Sequence, residues 1–313
     1  MDNQPKVLIT DSVHRLLLDG LAAAGYVCEY MPSISLEEVR AIIHQYEGIV
    51  INSKITVDRS FLDRAVLLKF IGRLGSGLEI IDLEYAKEKQ VAVHRAPDGN
   101  CDAVAEHAMG MLLALAINLK QGDAQVRQKN WQREANRGWE LMGRTVGLVG
   151  FGYTGRAMAA RLAGFGVSVL AYDKYKKNYA ADMPHVTETT MEQIWEEADV
   201  LSLHLPSTPE TRGLVDARYW NAFRKPVVLV NTSRGHIVST SDLLTALDDG
   251  VVLGACLDVF ENEKPATYTQ EQDLFFQDLF KRKNVLLTPH VAGWTVESKE
   301  RLAKLLLDRI MAR

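Results

Sequence analysis

Two α/β domains, each a parallel sheet covered by helices on both faces, are what this sequence predicts, and three observations lead there. The 313 residues exceed the roughly 250–300 that one hydrophobic core usually serves. Short β-branched runs alternate with amphipathic stretches along most of the chain, the pattern of parallel strands joined by helical crossovers. A long helix-compatible stretch, Asp102 to Leu119, and the polar, Trp-containing segment Gln125 to Gly143 interrupt that alternation and divide it in two.

In the first series "KVLIT" (6–10) reads as a strand and is followed by a helix-like segment from Ser12. "YVCEYM" (26–31) is the next strand, and the helix after it opens with a capping-box pair, Ser35 and Glu38. "GIVIN" (48–52), "KFIGRLG" (69–75) and "VAVHRA" (91–96) continue the rhythm. The second series contains six strand-like runs: 145–150, 167–173, 199–206, 226–233, 254–260 and 284–289. Helical segments between most of them are what a doubly wound nucleotide-binding sheet of the Rossmann type requires. The amphipathic, basic-ended stretch after Val296 closes the chain as a helix.

Bulk composition narrows the partners. With 36 basic and 40 acidic residues and a formal charge of -4, no electrostatic feature favours nucleic acid or a membrane surface. A small molecule is the expected partner. Cys28, Cys101 and Cys256 are far apart and lack metal-ligand spacing, which predicts neither disulfide nor zinc and fits a reducing, cytoplasmic location. The N-terminal residues lack the basic and apolar regions of a secretory signal. The most apolar stretch, Ala108 to Ile117, is too short to span a bilayer and reads as a buried helix.

"GLVGFGYTGRAMAARLAGFGVSVLAYD" carries Gly150, Gly152 and Gly155 in GxGxxG spacing between a strand and a helix, with Asp173 ending the next strand. Gly150 permits the tight turn, Gly152 the close approach of a pyrophosphate, and Gly155 the packing of helix on strand. The helix N-terminus offers backbone N–H groups to that pyrophosphate. Asp173 suits the ribose hydroxyls and repels a 2′-phosphate, favouring NAD over NADP, although Lys174, Lys176 and Lys177 follow it.

Polar groups cluster where ligands bind in such sheets, beyond the carboxyl ends of the strands. Arg234 follows one strand, Asp258, Glu261 and Glu263 the next, and His290 the last. A guanidinium fork matches a carboxylate and a neighbouring carbonyl oxygen. A histidine titrates near neutrality, and an adjacent carboxylate fixes its tautomer and raises its pKa. The set suits hydride transfer between NAD and a 2-hydroxy or 2-keto acid.

The loop at 150–155 with Asp173, "NTSRG" (231–235), "LDVFENE" (257–263) and "TPHVAG" (288–293), in this order, resemble the D-isomer-specific 2-hydroxyacid dehydrogenases. "GRLGSGLEIID" (72–82) and "APDGNCDAVAEHAMGMLLAL" (96–115) extend the likeness over essentially the whole chain. The resemblance implies that Arg234 holds substrate carboxylate and carbonyl, that His290 is the acid/base group, and that Glu263 rather than Glu261 orients it. It implies an NAD site lined by Tyr153, Thr154, Asp173, Thr232, Ser233, Arg234, Asp258 and the turn from His290 to Gly293, with Leu205 and Pro206 beside the adenosine. Ser76 and Gly77 would bind the substrate carboxylate through backbone N–H groups, and Asn52, Ser53 and Lys54 would face its variable part. It further implies a smaller, flavodoxin-like substrate-binding domain, discontinuous over 1–100 and 290–313, an NAD-binding domain at 101–289, and a homodimer paired through the latter.

The implied substrates are 3-phosphoglycerate, glycerate or hydroxypyruvate, and glyoxylate. Phosphoglycerate dehydrogenases commonly carry Arg-Ser where this chain has Asn52-Ser53, so one phosphate contact is missing unless Lys54 replaces it. Trp294 stands where a small residue is common. The chain ends at Arg313 without a serine-sensing regulatory domain, so feedback of that kind is not expected. Two other readings remain open, an NAD-responsive binding or corepressor-type protein of the same fold and a formate dehydrogenase-like enzyme. The Glu263 and His290 pair argues against the second, because formate has no hydroxyl proton to manage.

Overall fold

The computed structural model describes residues 4–312; positions 1–3 and 313, the two ends of the expected substrate domain, lie outside it. The chain forms two compact units, one of residues up to Asn100 together with Trp294 onward, the other Cys101–Gly293. The sequence places the return to the smaller unit at 290, whereas the structure places it after Gly293, so His290 packs with the larger unit.

In the smaller unit, β1 (Lys6–Ile9), β2 (Val27–Tyr30), β3 (Gly48–Ile51), β4 (Phe70–Arg73) and β5 (Ala92–Arg95) form one sheet in the order β2-β1-β3-β4-β5. All the pairings are parallel. Successive side chains face opposite sides of a strand, and the burial follows this rule. Leu8, Ile49, Ile51 and Ile71 enter one core, while Val7, Ile9, Val50 and Phe70 enter the other. The second core is completed by Ala303, Leu306 and Ile310 of the helix Val296–Met311. A fully buried Leu or Ile contributes about 1.5–3 kcal/mol, so this helix is an integral part of the unit. Ser35 and Glu38 form the expected capping box. The first helix begins at Arg15 rather than Ser12, because the His14 side chain accepts the Leu16 N–H and caps it there.

The larger unit contains β6 (Thr145–Val149), β7 (Ser168–Tyr172), β8 (Val186–Glu188), β9 (Val200–Leu203), β10 (Val227–Asn231), β11 (Val252–Leu257) and β12 (Val285–Leu287). Their order is β12-β11-β10-β9-β6-β7-β8, all parallel. From β6 the chain steps outward to β7 and β8, then returns to the other side at β9. This reversal parts the loops after β6 and β9 and opens a crevice at the carboxyl ends of the strands. Seven strands replace the six expected; the extra one, β8, is a three-residue edge strand. Another difference concerns the stretch 102–119. It is not one helix but two, Cys101–Ala116 and Leu119–Arg127, meeting at 62°. Asn118 adopts φ 53 at the junction, a left-handed conformation that ends an α-helix and that Asn tolerates better than most residues. Among the described residues no single helix is long and apolar enough to cross a membrane.

Candidate active site

The glycine loop is built as its spacing requires. Gly150 has φ +93, and a Cβ there would lie 2.4 Å from the His204 carbonyl oxygen. At Gly155 a Cβ would lie 2.2 Å from the Gly150 carbonyl oxygen, so only glycine lets the helix Tyr153–Leu162 approach β6. Gly152 faces open space and caps that helix without a side chain, leaving its first N–H groups for an anion. The Asp173 carboxylate, at the end of β7, accepts the Phe151 N–H at 2.9 Å and the Tyr175 N–H at 3.0 Å. The acid expected at the ribose therefore also holds the loop. Of the lysines that follow, Lys174 pairs with Glu210 and Lys176 donates to the Phe151 carbonyl oxygen at 2.7 Å, so neither waits for a 2′-phosphate. Tyr153 is exposed and Thr154 half-buried on the first turn of the helix; Leu205 and Pro206 follow β9. This loop fits a dinucleotide.

Beyond β10, Asn231 shapes the turn that carries Arg234. Its amide is 1% exposed; it accepts the Ser233 N–H and hydroxyl at 3.1 and 2.8 Å and donates to the Arg234 carbonyl oxygen at 3.1 Å. Thr232 and Ser233 are buried, while the half-buried Arg234 guanidinium donates to the Ser233 carbonyl oxygen at 2.7 Å. Gly235 is obligatory, since a Cβ would fall 1.9 Å from the Phe260 carbonyl oxygen.

Beyond β11 and β12 the two acid/base candidates meet. His290 Nδ1 lies 2.7 Å from Glu263 Oε2, and the other Glu263 oxygen accepts the Phe260 N–H. The hydrogen bond to Glu263 raises the His290 pKa above 6.5, against the opposing pull of burial and of the nearby Arg234 charge. Burial lifts the Glu263 pKa, but the His290 hydrogen bond and charge outweigh it, and the net shift is downward. With Nδ1 engaged by Glu263, Nε2 is the ring nitrogen left for a further partner. Glu261 turns elsewhere, accepting the Thr240 N–H at 2.9 Å.

His290 has φ 56, a left-handed conformation that costs an ordinary residue about 1–2 kcal/mol. Asp258 offsets it from beneath. Its carbonyl oxygen accepts the His290 N–H at 2.8 Å, and its carboxylate, 1% exposed, accepts the Thr288 hydroxyl at 2.6 Å and the Val291 and Ala292 N–H groups at 2.9 Å. Hydrogen bonds to a charged acceptor contribute about 1.5–3 kcal/mol each, so the bonds outweigh the strain. Gly293 closes the turn.

The expected substrate-facing residues belong to the smaller unit, in the loops after β3 and β4. The Asn52 N–H donates to Asp11 Oδ2 at 2.9 Å, and Asn52 Oδ1 accepts Arg73 Nη1 at 2.6 Å. Ser53 and Lys54 are exposed. Lys54 Nζ donates to the Pro32 carbonyl oxygen at 2.7 Å rather than toward Asn52. Ser76 is half-buried and Gly77 buried, and the Ser76 carbonyl oxygen accepts Arg95 Nη1 at 2.9 Å. Two residues, Asn231 beside Arg234 in the larger unit and Arg73 beside Asn52 in the smaller, do not stand out in the sequence. Each had a signal, a polar residue ending an otherwise apolar strand.

Comparison with known proteins agrees with this geometry. A profile described as "D-isomer specific 2-hydroxyacid dehydrogenase, NAD binding domain" matches residues 109–292. The D-3-phosphoglycerate dehydrogenase of Archaeoglobus fulgidus is 33% identical over 98% of this chain and 56% of its own length. That of Rattus norvegicus is 34% identical over 96% of this chain and 54% of its own. The chain thus spans little more than half of the curated relatives it matches. Among solved structures, the D-lactate dehydrogenase of Aquifex aeolicus, complexed with NAD and lactic acid, superposes with a TM-score of 0.85 at 27% identity, covering 98% of this chain and 94% of that one. The TT0316 protein of Thermus thermophilus gives 0.85 at 31% identity, covering 98% and 96%.

Proposed function

The chain belongs to the D-isomer-specific 2-hydroxyacid dehydrogenases, and from that premise we propose that it transfers a hydride between NAD and C2 of a small D-2-hydroxy acid. The observation that carries the reading is the 2.7 Å contact of His290 Nδ1 with Glu263 within the electrostatic reach of Arg234 at the carboxyl ends of neighbouring strands. NAD supplies the hydride acceptor. In oxidation the C2–H electron pair leaves as hydride, the hydroxyl proton passes to His290 Nε2, and C2 becomes a carbonyl; reduction runs the same steps backward. Glu263 stabilises the imidazolium formed, and Arg234 holds the carboxylate and the C2 oxygen. On the same reading the backbone N–H groups of Ser76 and Gly77 serve the substrate carboxylate, and Asn52, Ser53 and Lys54 serve its variable part.

The proposed substrates are 3-phosphoglycerate, glycerate or hydroxypyruvate, and glyoxylate. Arg73, seated on Asn52, favours an acid with a second anionic group, because it brings a guanidinium to the loop where Asn52 replaces the arginine common in phosphoglycerate dehydrogenases. The reading extends to a homodimer paired through the NAD-binding domain, supported by exposed Ile117, Leu119 and Val126 near the helix bend. Cys28, Cys101 and Cys256, far apart in the chain, suit a cytoplasmic location. Loss of NADH absorbance with glyoxylate, hydroxypyruvate, pyruvate and phosphohydroxypyruvate tests the activity. Oxidation with none of them overturns it and leaves an NAD-responsive binding protein. A molecular mass in solution equal to one chain overturns the dimer.

A further inference from the structure

We propose that His107 is a positioning residue for His290, acting through a hydrogen-bond chain from its imidazole to the Thr288 hydroxyl and the Asp258 carboxylate. The inference rests on His290 being the acid/base group of the proposed reaction. His107 stands on the helix Cys101–Ala116, which lies against β10, β11 and β12. Its Nε2 is 3.0 Å from Thr288 Oγ1 and 3.7 Å from Asp258 Oδ1. Met111, one turn further along the same helix face, puts its sulfur 3.6 Å from the same hydroxyl.

Proton counting settles the direction of the chain. A hydroxyl has one proton, and an ionised carboxylate is an acceptor only. The Thr288 proton goes to Asp258 Oδ1 at 2.6 Å, a short bond to a charged acceptor, in preference to the distant sulfur. The proton between His107 and Thr288 therefore sits on Nε2 of the histidine, which fixes its tautomer. Each link then has one arrangement: His107 donates to Thr288, Thr288 donates to Asp258, and Asp258 holds Val291 and Ala292 by their N–H groups and His290 by its own carbonyl oxygen. Around His107 the helix buries Ala103, Val104, Ala108, Met111 and Leu112, all apolar. Packing alone would be served by carbon here, whereas the ring nitrogen orients a hydroxyl on the strand-to-turn segment that ends in His290.

The consequence is that removing the His107 donor frees the Thr288 hydroxyl to rotate, loosens one of the donors to Asp258, and lets the His290 ring drift from its partner Glu263. Misplacement of a catalytic group by about 1 Å lowers turnover by as much as a hundredfold, and the loss falls on kcat rather than on cofactor binding.

The test compares His107→Leu, which removes the donor, with His107→Gln, whose amide nitrogen reaches the Nε2 position. In NADH-linked reduction of the best 2-keto acid, kcat of H107L falls on the order of tenfold with the NADH dissociation constant unchanged, and H107Q restores most of it. Combining H107L with Thr288→Val costs no more than T288V alone, because the chain is already cut. Additive losses, or H107Q as impaired as H107L, overturn the proposal. Should H107L fail to fold, His107→Asn, polar but too short to reach Thr288, takes its place. If the unmodified chain reduces no 2-keto acid, the catalytic reading fails by itself, and proton NMR of the His290 imidazole decides the positioning claim. Its titration moves toward the ordinary histidine value in H107L and stays in H107Q if the chain is right; an unmoved titration in both overturns it.

Discussion

The loops after β10 and β11 are pinned from inside by Asn231 and Asp258, each 1% exposed, whereas the loops after β3 and β4 hold Ser53 and Lys54 at the surface and are tied mainly through Arg73 and Arg95. Both sheets are parallel and both sets of loops leave carboxyl ends of strands. What differs is the free energy that rearrangement requires. Turning Asn231 or Asp258 away would strand buried donors and acceptors, at about 1–3 kcal/mol for each group left unsatisfied. Moving Lys54 or Ser53 only exchanges one solvated contact for another. A reaction common to a family needs the first kind of loop, where the reacting atoms cannot wander; the choice among its substrates is suited to the second.

Substitutions in the two kinds of loop should therefore differ in size of effect. The largest loss is expected for His290→Asn, which keeps the turn's polarity but removes the proton-exchanging nitrogen. Its kcat falls by about 10²–10⁴-fold, with NADH binding by fluorescence titration retained; normal turnover would remove the larger unit's claim to the chemistry. Next comes Arg234→Lys, which exchanges a planar fork for a point charge. One lost charge-assisted bond of about 1.5–3 kcal/mol lowers kcat/KM for the keto acid by roughly ten- to a hundredfold.

A smaller and directional effect is expected for Glu263→Gln. Glu263 raises the His290 pKa above 6.5, so its removal lets that pKa fall. In the proposed reaction keto-acid reduction requires protonated His290, so the pH above which reduction fails is expected to move down; a profile that stays in place overturns the pairing. The same shifts act on stability. A raised His290 contributes at low pH and its contribution is lost as pH rises through its folded pKa, while a lowered Glu263 contributes at high pH and is lost as pH falls. The pair therefore stabilises most between the two titrations. The mildest effect belongs to the smaller unit: Asn52→Ala changes KM severalfold for acids with a second anionic group and leaves kcat nearly unchanged. A loss of kcat there as large as that of R234K would erase the distinction between the two kinds of loop.

Much of the larger unit was legible in the sequence because its strands are buried on both faces and read as continuous apolar runs. β8 escaped because three residues, Val186–Glu188, at a sheet edge carry no periodicity. The helix break at Asn118 escaped because an asparagine between Ile117 and Leu119 does not by itself announce a left-handed backbone. At the site, residue types at strand ends were readable, and so were Arg234, Glu263 and His290 as a set. The left-handed backbone of His290 and the inward aim of Asp258 were not, since both arise from contacts between residues some thirty positions apart. Arg73 was overlooked for a related reason. Its partner Asn52 lies on the neighbouring strand's loop, and only the β3–β4 register brings them together.

The core that joins Leu17, Leu21 and Phe70 with Leu306 and Ile310 has a consequence for biosynthesis. A ribosome delivers the residues of the smaller sheet first, yet one wall of their core arrives only when positions 303–310 have left the exit tunnel. By then residues 101–293 have all emerged and can close their own sheet. The unit whose strands are translated first is thus the one whose core is complete last.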